Sequence, residues 1–298
     1  MGDFLDVWVF GLLAATLRAA APLTLAALGG LFSERAGVVN IALEAMMIVG
    51  AFFAIFGADI TGSWIGGVIL AVVAGGLFAV LHAVATVTYR GDQIISGTAL
   101  ILLATGLVNF LLLSIYPGGE TPAGISTAPS FLQVNVLVFV MLALLPIVSY
   151  VIFRTPFGLR LRACGEHPRA ADTVGVDVIR MRYVAIIISG MLAALAGAYL
   201  ANAVGSYTQG MTGGKGFIAL AALIFGKWNP WGAFAAALLF GFAEAVGTRL
   251  QSLDGVAIPP EFVTALPYVL TIIALAGFVG RSRPPAAVGK PYSKQGGH

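Results

Sequence analysis

RTPFGLRLRACGEHPRAADTVGVDVIRMR, residues 154–182, is the one long polar segment that lies between hydrophobic runs of this chain. It holds six of the 16 Lys and Arg residues, namely Arg154, Arg160, Arg162, Arg169, Arg180 and Arg182. Basic residues of a membrane protein concentrate in its cytoplasmic loops. This stretch therefore indicates which ends of the neighbouring apolar segments share one side of a membrane.

The composition predicts an integral membrane protein. Hydrophobic residues make up 59% of the chain and charged residues 10%, and the mean hydropathy is +0.97. A soluble domain carries about 25% charged residues. Cys164 is the single cysteine, so no intrachain disulfide can form. The basic pI of about 9.1 is that of loop residues in a membrane protein, so nucleic acid is not an expected partner. The N-terminus MGDFLD lacks the basic region of a cleavable signal peptide.

Apolar runs predict an all-α protein with about nine transmembrane helices, between about eight and ten, because a span needs roughly 20 residues. The seventh run is too short to span alone and predicts re-entrant backbone around residues 205–216. Arg18 and Pro22 interrupt the first run, which predicts a kink or an interfacial part. The nine predicted helices are Val7–Leu31, Val38–Phe56, Trp64–Thr88, Ile94–Tyr116, Phe131–Phe153, Tyr183–Val204, Phe217–Gly226, Trp231–Thr248 and Phe262–Gly280.

The basic residues at the helix ends predict the orientation. One set of ends holds the six arginines above and Arg35, Arg90, Lys227, Arg281, Arg283, Lys290 and Lys294. The other set holds Lys215 and Arg249. We therefore expect the arginine-rich loop and the C-terminus in the cytoplasm and the N-terminus outside. Residues 1–280 form one transmembrane domain, and the Pro- and Gly-rich tail 281–298 is predicted to be a disordered cytoplasmic segment.

Ionisable and amide side chains inside the apolar runs are candidates for a transport path, because such groups are costly in a membrane and usually face a cavity or a partner. Asn40 and Glu44 are four residues apart, which predicts one helix face. Glu244 lies in the eighth predicted helix. Thr98, Thr105 and Asn109 form a polar stripe on the fourth, and His82 lies near the end of the third.

Each candidate also has a structural interpretation. Thr and Asn side chains often bond a neighbouring membrane helix, as His82 could. Glu44 could pair with Arg35 or Arg18, and Glu244 could equally be structural. No residue cluster has metal-ligand spacing, and no cofactor is predicted. TGGKGF, residues 212–217, fails the phosphate-loop pattern, since Gln209 stands where its first Gly belongs and Gly216 where Ser or Thr belongs.

The arginine-rich loop contains signals for a short helix. Pro168 suits the first helical position and Gly175 the residue just past the end. These signals predict a helix of two turns or fewer, Pro168–Val174, with Ala170 and Ala171 as a small apolar docking face. Asp177 can cap the following membrane helix. The alternative is a solvated basic loop that only sets the topology.

Three stretches then resemble one family. They are LRAAAPLTLAALGGLFSERAGVVNIALEAMMIVGAF (17–52), RACGEHPRAADTVGVDV (162–178) and GGKGFIALAALIFGKWNPWGAFAAALLFGFAEA (213–245). They resemble the permease subunits of ABC importers for nucleosides, simple sugars and, more distantly, branched-chain amino acids. The second stretch is similar to the segment that docks into the ATPase, although the family usually has Asn at the position of His167. The resemblance assigns this contact to Gly165, Glu166, His167, Pro168, Arg169, Ala170, Ala171 and Gly175.

The resemblance implies a non-enzymatic subunit in a bacterial or archaeal cytoplasmic membrane. It implies four kinds of neighbour: an ABC ATPase, a second permease that forms a heterodimer, an extracytoplasmic substrate-binding protein and membrane lipid. It also implies two helix sets of inverted topology, before and after the loop 154–182. The cost of exposing polar groups to lipid, and not the resemblance, assigns the transport path to Asn40, Glu44, Thr105, Asn109 and Glu244.

Two other classes of function fit the composition. A proton-coupled secondary transporter would use Glu44 or Glu244 as its proton-linked carboxylate and would need no ATPase. An intramembrane enzyme would need a catalytic constellation, and no Ser/His/Asp arrangement is recognisable in the sequence. Uptake that fails with an inactive ATPase, while the proton gradient is intact, would separate the first class from the ABC permease.

Overall fold

A computed structural model describes residues 2–122, 124–131, 133–251, 269 and 282–293 of the chain. Over these residues the structure is all-α and 75% helical. Within the described residues, seven helices are long and apolar enough to cross a membrane. The predicted ninth helix, 262–280, falls outside the described residues, so the count of nine stays a prediction.

Ten α-helices and a two-stranded antiparallel hairpin follow one another along the described chain. α3 continues as a π-helical turn over Val84–Thr88. The elements are α1 (Gly2–Arg35), α2 (Leu43–Thr61), α3 (Trp64–Ala83), α4 (Gln93–Ile115), β1 (Ser130–Phe131), β2 (Val134–Asn135), α5 (Val136–Arg154), α6 (Pro156–Glu166), α7 (Pro168–Thr173), α8 (Val178–Val204), α9 (Lys215–Phe225) and α10 (Pro230–Gln251).

The eight predicted helices that fall within the described residues each have an observed counterpart whose ends lie within five residues of the predicted ones. α1 passes through Pro22 as one helix. The second helix begins at Leu43 rather than Val38, so Asn40 and Glu44 do not share a helix face. The loop 154–182 contains two helices, α6 and α7, where one was predicted. α9 spans 11 residues, or about 16 Å at 1.5 Å per residue, which is too short to cross a bilayer.

The core forms where α8 packs against α1, α2 and α3. Glycines permit this close approach. A Cβ at Gly50 of α2 would lie 2.2 Å from the Ala194 carbonyl oxygen, and a Cβ at Gly197 of α8 would lie 1.9 Å from the Met47 carbonyl oxygen. The two backbones are therefore in direct contact, and a larger residue at either position would separate the helices.

The connection between α1 and α2, residues 36–42, is non-helical but mostly buried. Buried backbone polar groups need partners, and polar side chains from three other elements supply them here. The Val39 N–H donates to Gln93 Oε1 at 2.7 Å, and His82 Nε2 lies 3.1 Å from the Val39 carbonyl oxygen. The Arg182 Nε donates to the Ala36 carbonyl oxygen at 3.1 Å. Thus His82 and Arg182 hold this connection in place.

Residues 282–293 pack on the protein, which differs from the disorder predicted for the tail. The Ala287 N–H donates to the Gly165 carbonyl oxygen at 2.8 Å, and Arg182 Nη1 donates to the Lys290 carbonyl oxygen at 3.0 Å. Tyr292 is 8% exposed and joins a small apolar cluster with Cys164. The composition, rich in Pro and Gly, predicted disorder. It could not indicate these contacts, because each contact joins residues far apart in sequence. We call residues 282–293 the C-terminal strap.

Candidate functional site

The N-terminus of α9 receives the carboxylate of Glu44, which is 5% exposed. Its Oε1 accepts from Thr212 Oγ1 at 2.6 Å and from the Gly214 N–H at 3.0 Å, and its Oε2 accepts from the Gly216 N–H at 2.7 Å. Helix N-termini leave N–H groups without intrahelical partners and favour a nearby negative charge. Glu44 of α2 thus caps the N-terminus of α9, which has no capping side chain of its own.

The sequence TGGKGF therefore does bind an oxyanion, although it fails the phosphate-loop pattern. Its backbone N–H groups at Gly214 and Gly216 point to a carboxylate of the same chain. A Cβ at Gly216 would lie 2.6 Å from the Glu44 backbone nitrogen. The glycine is needed here because the start of α9 contacts the start of α2 directly.

A second carboxylate holds the same helix start through a side chain. Lys215 Nζ lies 2.8 Å from both carboxylate oxygens of Glu244 on α10. This ion pair borders a cavity of about 520 Å³ between α1, α8 and α10, which Arg18, Tyr199 and Arg249 also line. The start of α9 is therefore attached to α2 on one side and to α10 on the other.

A smaller cavity of about 90 Å³ lies between α4 and the non-helical segment before α9. Its polar lining includes Thr105, Asn109, Gln209 and Thr212. Gln209 Nε2 donates to Asn109 Oδ1. Because Thr212 also donates to Glu44, this cavity joins α4 to the start of α9.

The predicted path residues thus separate into two groups. Glu44, Thr105, Asn109 and Glu244 all lie around the start of α9 or the segment before it. Asn40 lies elsewhere: it is fully buried, its Nδ2 donates to Ser189 Oγ at 2.9 Å, and its Oδ1 has no partner within the described structure.

The contacts of three residues in this region were not predicted. Gln209, Thr212 and Lys215 lie in or beside the segment for which re-entrant backbone was predicted, and Thr212 is 168 residues from its partner Glu44. The glycine pattern of residues 212–217 was the one usable sign, because closely spaced glycines expose backbone N–H groups.

The second candidate site is the surface of α6 and α7. Pro168 is at the start of α7, Gly175 beyond its end has φ +86°, and Asp177 Oδ1 accepts from the Arg180 N–H at 2.9 Å. The predicted short helix and the predicted cap of α8 are therefore confirmed. Ala170 is exposed, but Ala171 is 3% exposed and packs with Cys164, Val178 and Tyr292. The two alanines therefore lie on different faces of α7.

α6 and the end of α1 are in close contact. A Cβ at Gly165 would lie 2.2 Å from the Arg35 carbonyl oxygen. Arg35 and Arg162 lie on the ring of Phe153, with guanidinium carbons 5.7 Å and 5.3 Å from its centroid. Arg35 Nη2 also donates to the Trp228 carbonyl oxygen at 2.6 Å, in the turn between α9 and α10. A displacement of α6 would therefore reach both α1 and α9.

These features are those of a multi-spanning membrane protein in which one short helix, α9, is held by side chains of other helices. Residues 12–275 match the family described as "Branched-chain amino acid transport system / permease component", and the chain belongs to this family. Its members are the non-catalytic membrane subunits of ABC transporters, in which a separate subunit hydrolyses ATP.

Curated relatives match along nearly the whole chain. The guanosine ABC transporter permease protein NupQ of Bacillus subtilis is 43% identical, over 94% of this chain and 95% of the relative. The nucleoside ABC transporter permease protein NupC of Lactococcus lactis is 40% identical, over 92% and 93%. The guanosine ABC transporter permease protein NupP of B. subtilis is 23% identical, over 94% and 84%.

Proposed function

We propose that this chain is one of two permease subunits of an ATP-driven nucleoside importer in a bacterial or archaeal cytoplasmic membrane. One observation carries the substrate class: identity of 40% or more, over more than nine tenths of the chain, to two permeases named for guanosine or nucleosides. Related simple sugars are the second substrate class. NupQ and NupP bear the same substrate name in one organism, which supports pairing with a second, different permease.

The path for the substrate runs, in this proposal, past the start of α9. Amide and hydroxyl groups of Thr105, Asn109 and Gln209 line the small cavity there. Such groups can exchange hydrogen bonds with the hydroxyls and ring nitrogens of a nucleoside. A half-helix that begins inside the membrane, preceded by irregular backbone, is the arrangement that transporters use at substrate sites. We also propose that the helices before and after the loop 154–182 form two sets of inverted topology.

The proton-coupled alternative fits the contacts less well. The Glu44 carboxylate already accepts three hydrogen bonds from the start of α9, and Glu244 is paired with Lys215 at 2.8 Å. Protonation of either carboxylate would break contacts that position α9. Both carboxylates therefore hold α9 in position, and a proton carrier would break these contacts in each transport cycle.

The experiment is uptake of radiolabelled guanosine by proteoliposomes that hold both permeases and the ATPase, with the loaded binding protein outside. We expect uptake to need ATP and to stop when the ATPase carries an inactivating substitution. A proton ionophore should leave uptake within about two-fold. Uptake that collapses with the proton gradient and survives the ATPase substitution would support the secondary transporter instead.

The topology is a separate prediction. We expect α6, α7 and the C-terminal strap in the cytoplasm and Glu120 outside, because of the distribution of basic residues. Single cysteines at positions 120 and 169, in a Cys164→Ser background, would be labelled in intact cells with a membrane-impermeant maleimide. Position 120 should react and position 169 should react only after permeabilisation. Labelling of position 169 in intact cells would reverse the assignment.

A further inference from the structure

The C-terminal strap and α7 form two walls of one groove. The groove has a volume of about 590 Å³. Its first wall includes Glu166, His167 and Arg169, and its second includes Lys290 and Tyr292. The strap is fixed in place at several points: the Ala286 N–H donates to Glu166 Oε2 at 3.2 Å, and Tyr292 hydrogen-bonds the side chain of Asp172 on α7.

The groove carries a positive charge excess. Its cationic side chains are Arg169 and Lys290, both exposed, and the ring of His167 lies between Glu166 and Arg169 in the sequence of the first wall. Its acidic side chain, Glu166, already accepts the Ala286 N–H. Complementary charge at an interface speeds association and selects the partner. An acidic segment fits this groove.

We propose that the C-terminal strap is the second wall of the docking surface for the ATPase subunit, and that an acidic segment of the ATPase lies in the groove between the strap and α7. This inference rests on the proposed function, because it assigns the partner of α7. It adds that α7 alone is an incomplete docking surface. The occupied groove would also transmit force, since Arg182 binds both the strap at Lys290 and the α1–α2 connection at Ala36.

Two exposed basic residues of the strap provide a matched pair of variants. Lys290 lines the groove and Arg283 does not. Lys290→Glu leaves the backbone carbonyl that Arg182 binds, and Arg283→Glu makes the same charge change seven residues earlier. The measurement is the amount of the transporter's own ATPase that co-purifies with each variant in detergent. We expect Lys290→Glu to lower this amount at least about five-fold and Arg283→Glu to change it less than about two-fold.

Cys164 reports whether the strap is in place. Its side chain is fully buried beside Tyr292 and Ala171, and burial raises the pKa of its thiol to about 11. The thiolate is the form that reacts, so a maleimide at pH 7.5 should label Cys164 slowly. Lys290→Glu should keep this protection. Tyr292→Ala should loosen the strap, and we expect labelling to rise at least about ten-fold and the co-purified ATPase to fall.

Each result decides the inference. Wild-type co-purification in Lys290→Glu would overturn it, and is also the result expected if the groove binds anionic lipid. An equal loss of co-purified ATPase in Arg283→Glu would show that only the overall charge of the strap matters. Fast labelling of Cys164 in Lys290→Glu would show that Lys290 holds the strap in place and does not contact the ATPase. Wild-type co-purification in Tyr292→Ala despite fast labelling would exclude the strap from the interface. Ala170→Trp tests whether α7 contacts the ATPase at all. Normal co-purification of the ATPase and normal stimulation in this variant would count against the proposed function, and not only against the role of the strap.

Discussion

Replacing Glu44 with leucine is expected to reduce uptake to background, because the start of α9 loses its cap. Three donors would lose their acceptor, of which those on Thr212 and Gly216 are buried and that on Gly214 is partly buried. Each unsatisfied buried group costs about 1–3 kcal/mol. Guanosine uptake in proteoliposomes and the thermal denaturation midpoint of the purified complex in detergent are the two measurements.

Two further variants grade this effect. Glu44→Gln keeps the volume and one acceptor oxygen, so uptake should fall less than with leucine. Thr212→Val removes one donor and leaves both backbone N–H groups paired with the carboxylate, so it should cost about 1.5–3 kcal/mol and less than Glu44→Leu. Wild-type uptake together with an unchanged denaturation midpoint in Glu44→Leu would show that this carboxylate does not position α9.

Tryptophan at position 170 is expected to separate ATP hydrolysis from control by the substrate. Ala170 lies on the exposed face of α7, so, if the ATPase docks there as proposed, a bulky side chain would obstruct it without disturbing the permease. ATP hydrolysis by the reconstituted complex would be measured with and without loaded binding protein. We expect the stimulation by binding protein to be lost, and the binding protein itself to bind normally, because it acts at the other side of the membrane.

Ala171→Trp is the informative comparison. Ala171 is enclosed by Cys164, Val178 and Tyr292, and overpacking such a site costs about 1–3 kcal/mol. Both variants should lose control of hydrolysis, but only Ala171→Trp should expose Cys164 to a maleimide. Normal stimulation and normal co-purification of the ATPase in Ala170→Trp would remove α7 from the coupling pathway.

Local sequence signals predicted much of this fold. Long apolar runs located α4 and α10 to within a few residues, and the shortness of the run after Phe217 correctly indicated a helix that cannot span alone. Pro168, Gly175 and Asp177 marked helix ends because capping depends on neighbouring residues. These features need no knowledge of the rest of the chain.

The sequence did not predict contacts between elements that are far apart along the chain. Asn40 and Glu44 were assigned to one helix face because periodicity assumes that the helix is continuous, whereas α2 begins at Leu43. Arg182 counted as a loop arginine, but it is 1% exposed and binds two backbone carbonyl oxygens. No periodic pattern records that a side chain serves an element more than one hundred residues away.

The shortness of α9 has a consequence for how the chain is assembled. A segment of 11 residues offers too little apolar length to enter a bilayer independently, and its first N–H groups have no partners in lipid. Their acceptor, Glu44, belongs to a helix synthesised about 170 residues earlier. The ribosome therefore delivers the acceptor long before the donors. Biogenesis should proceed by insertion of α1–α8 first, with α9 and α10 entering as a hairpin against a preformed surface. A chain truncated before residue 200 would contain Glu44 but not the donors that its carboxylate binds. We expect membrane quality control to degrade such a chain.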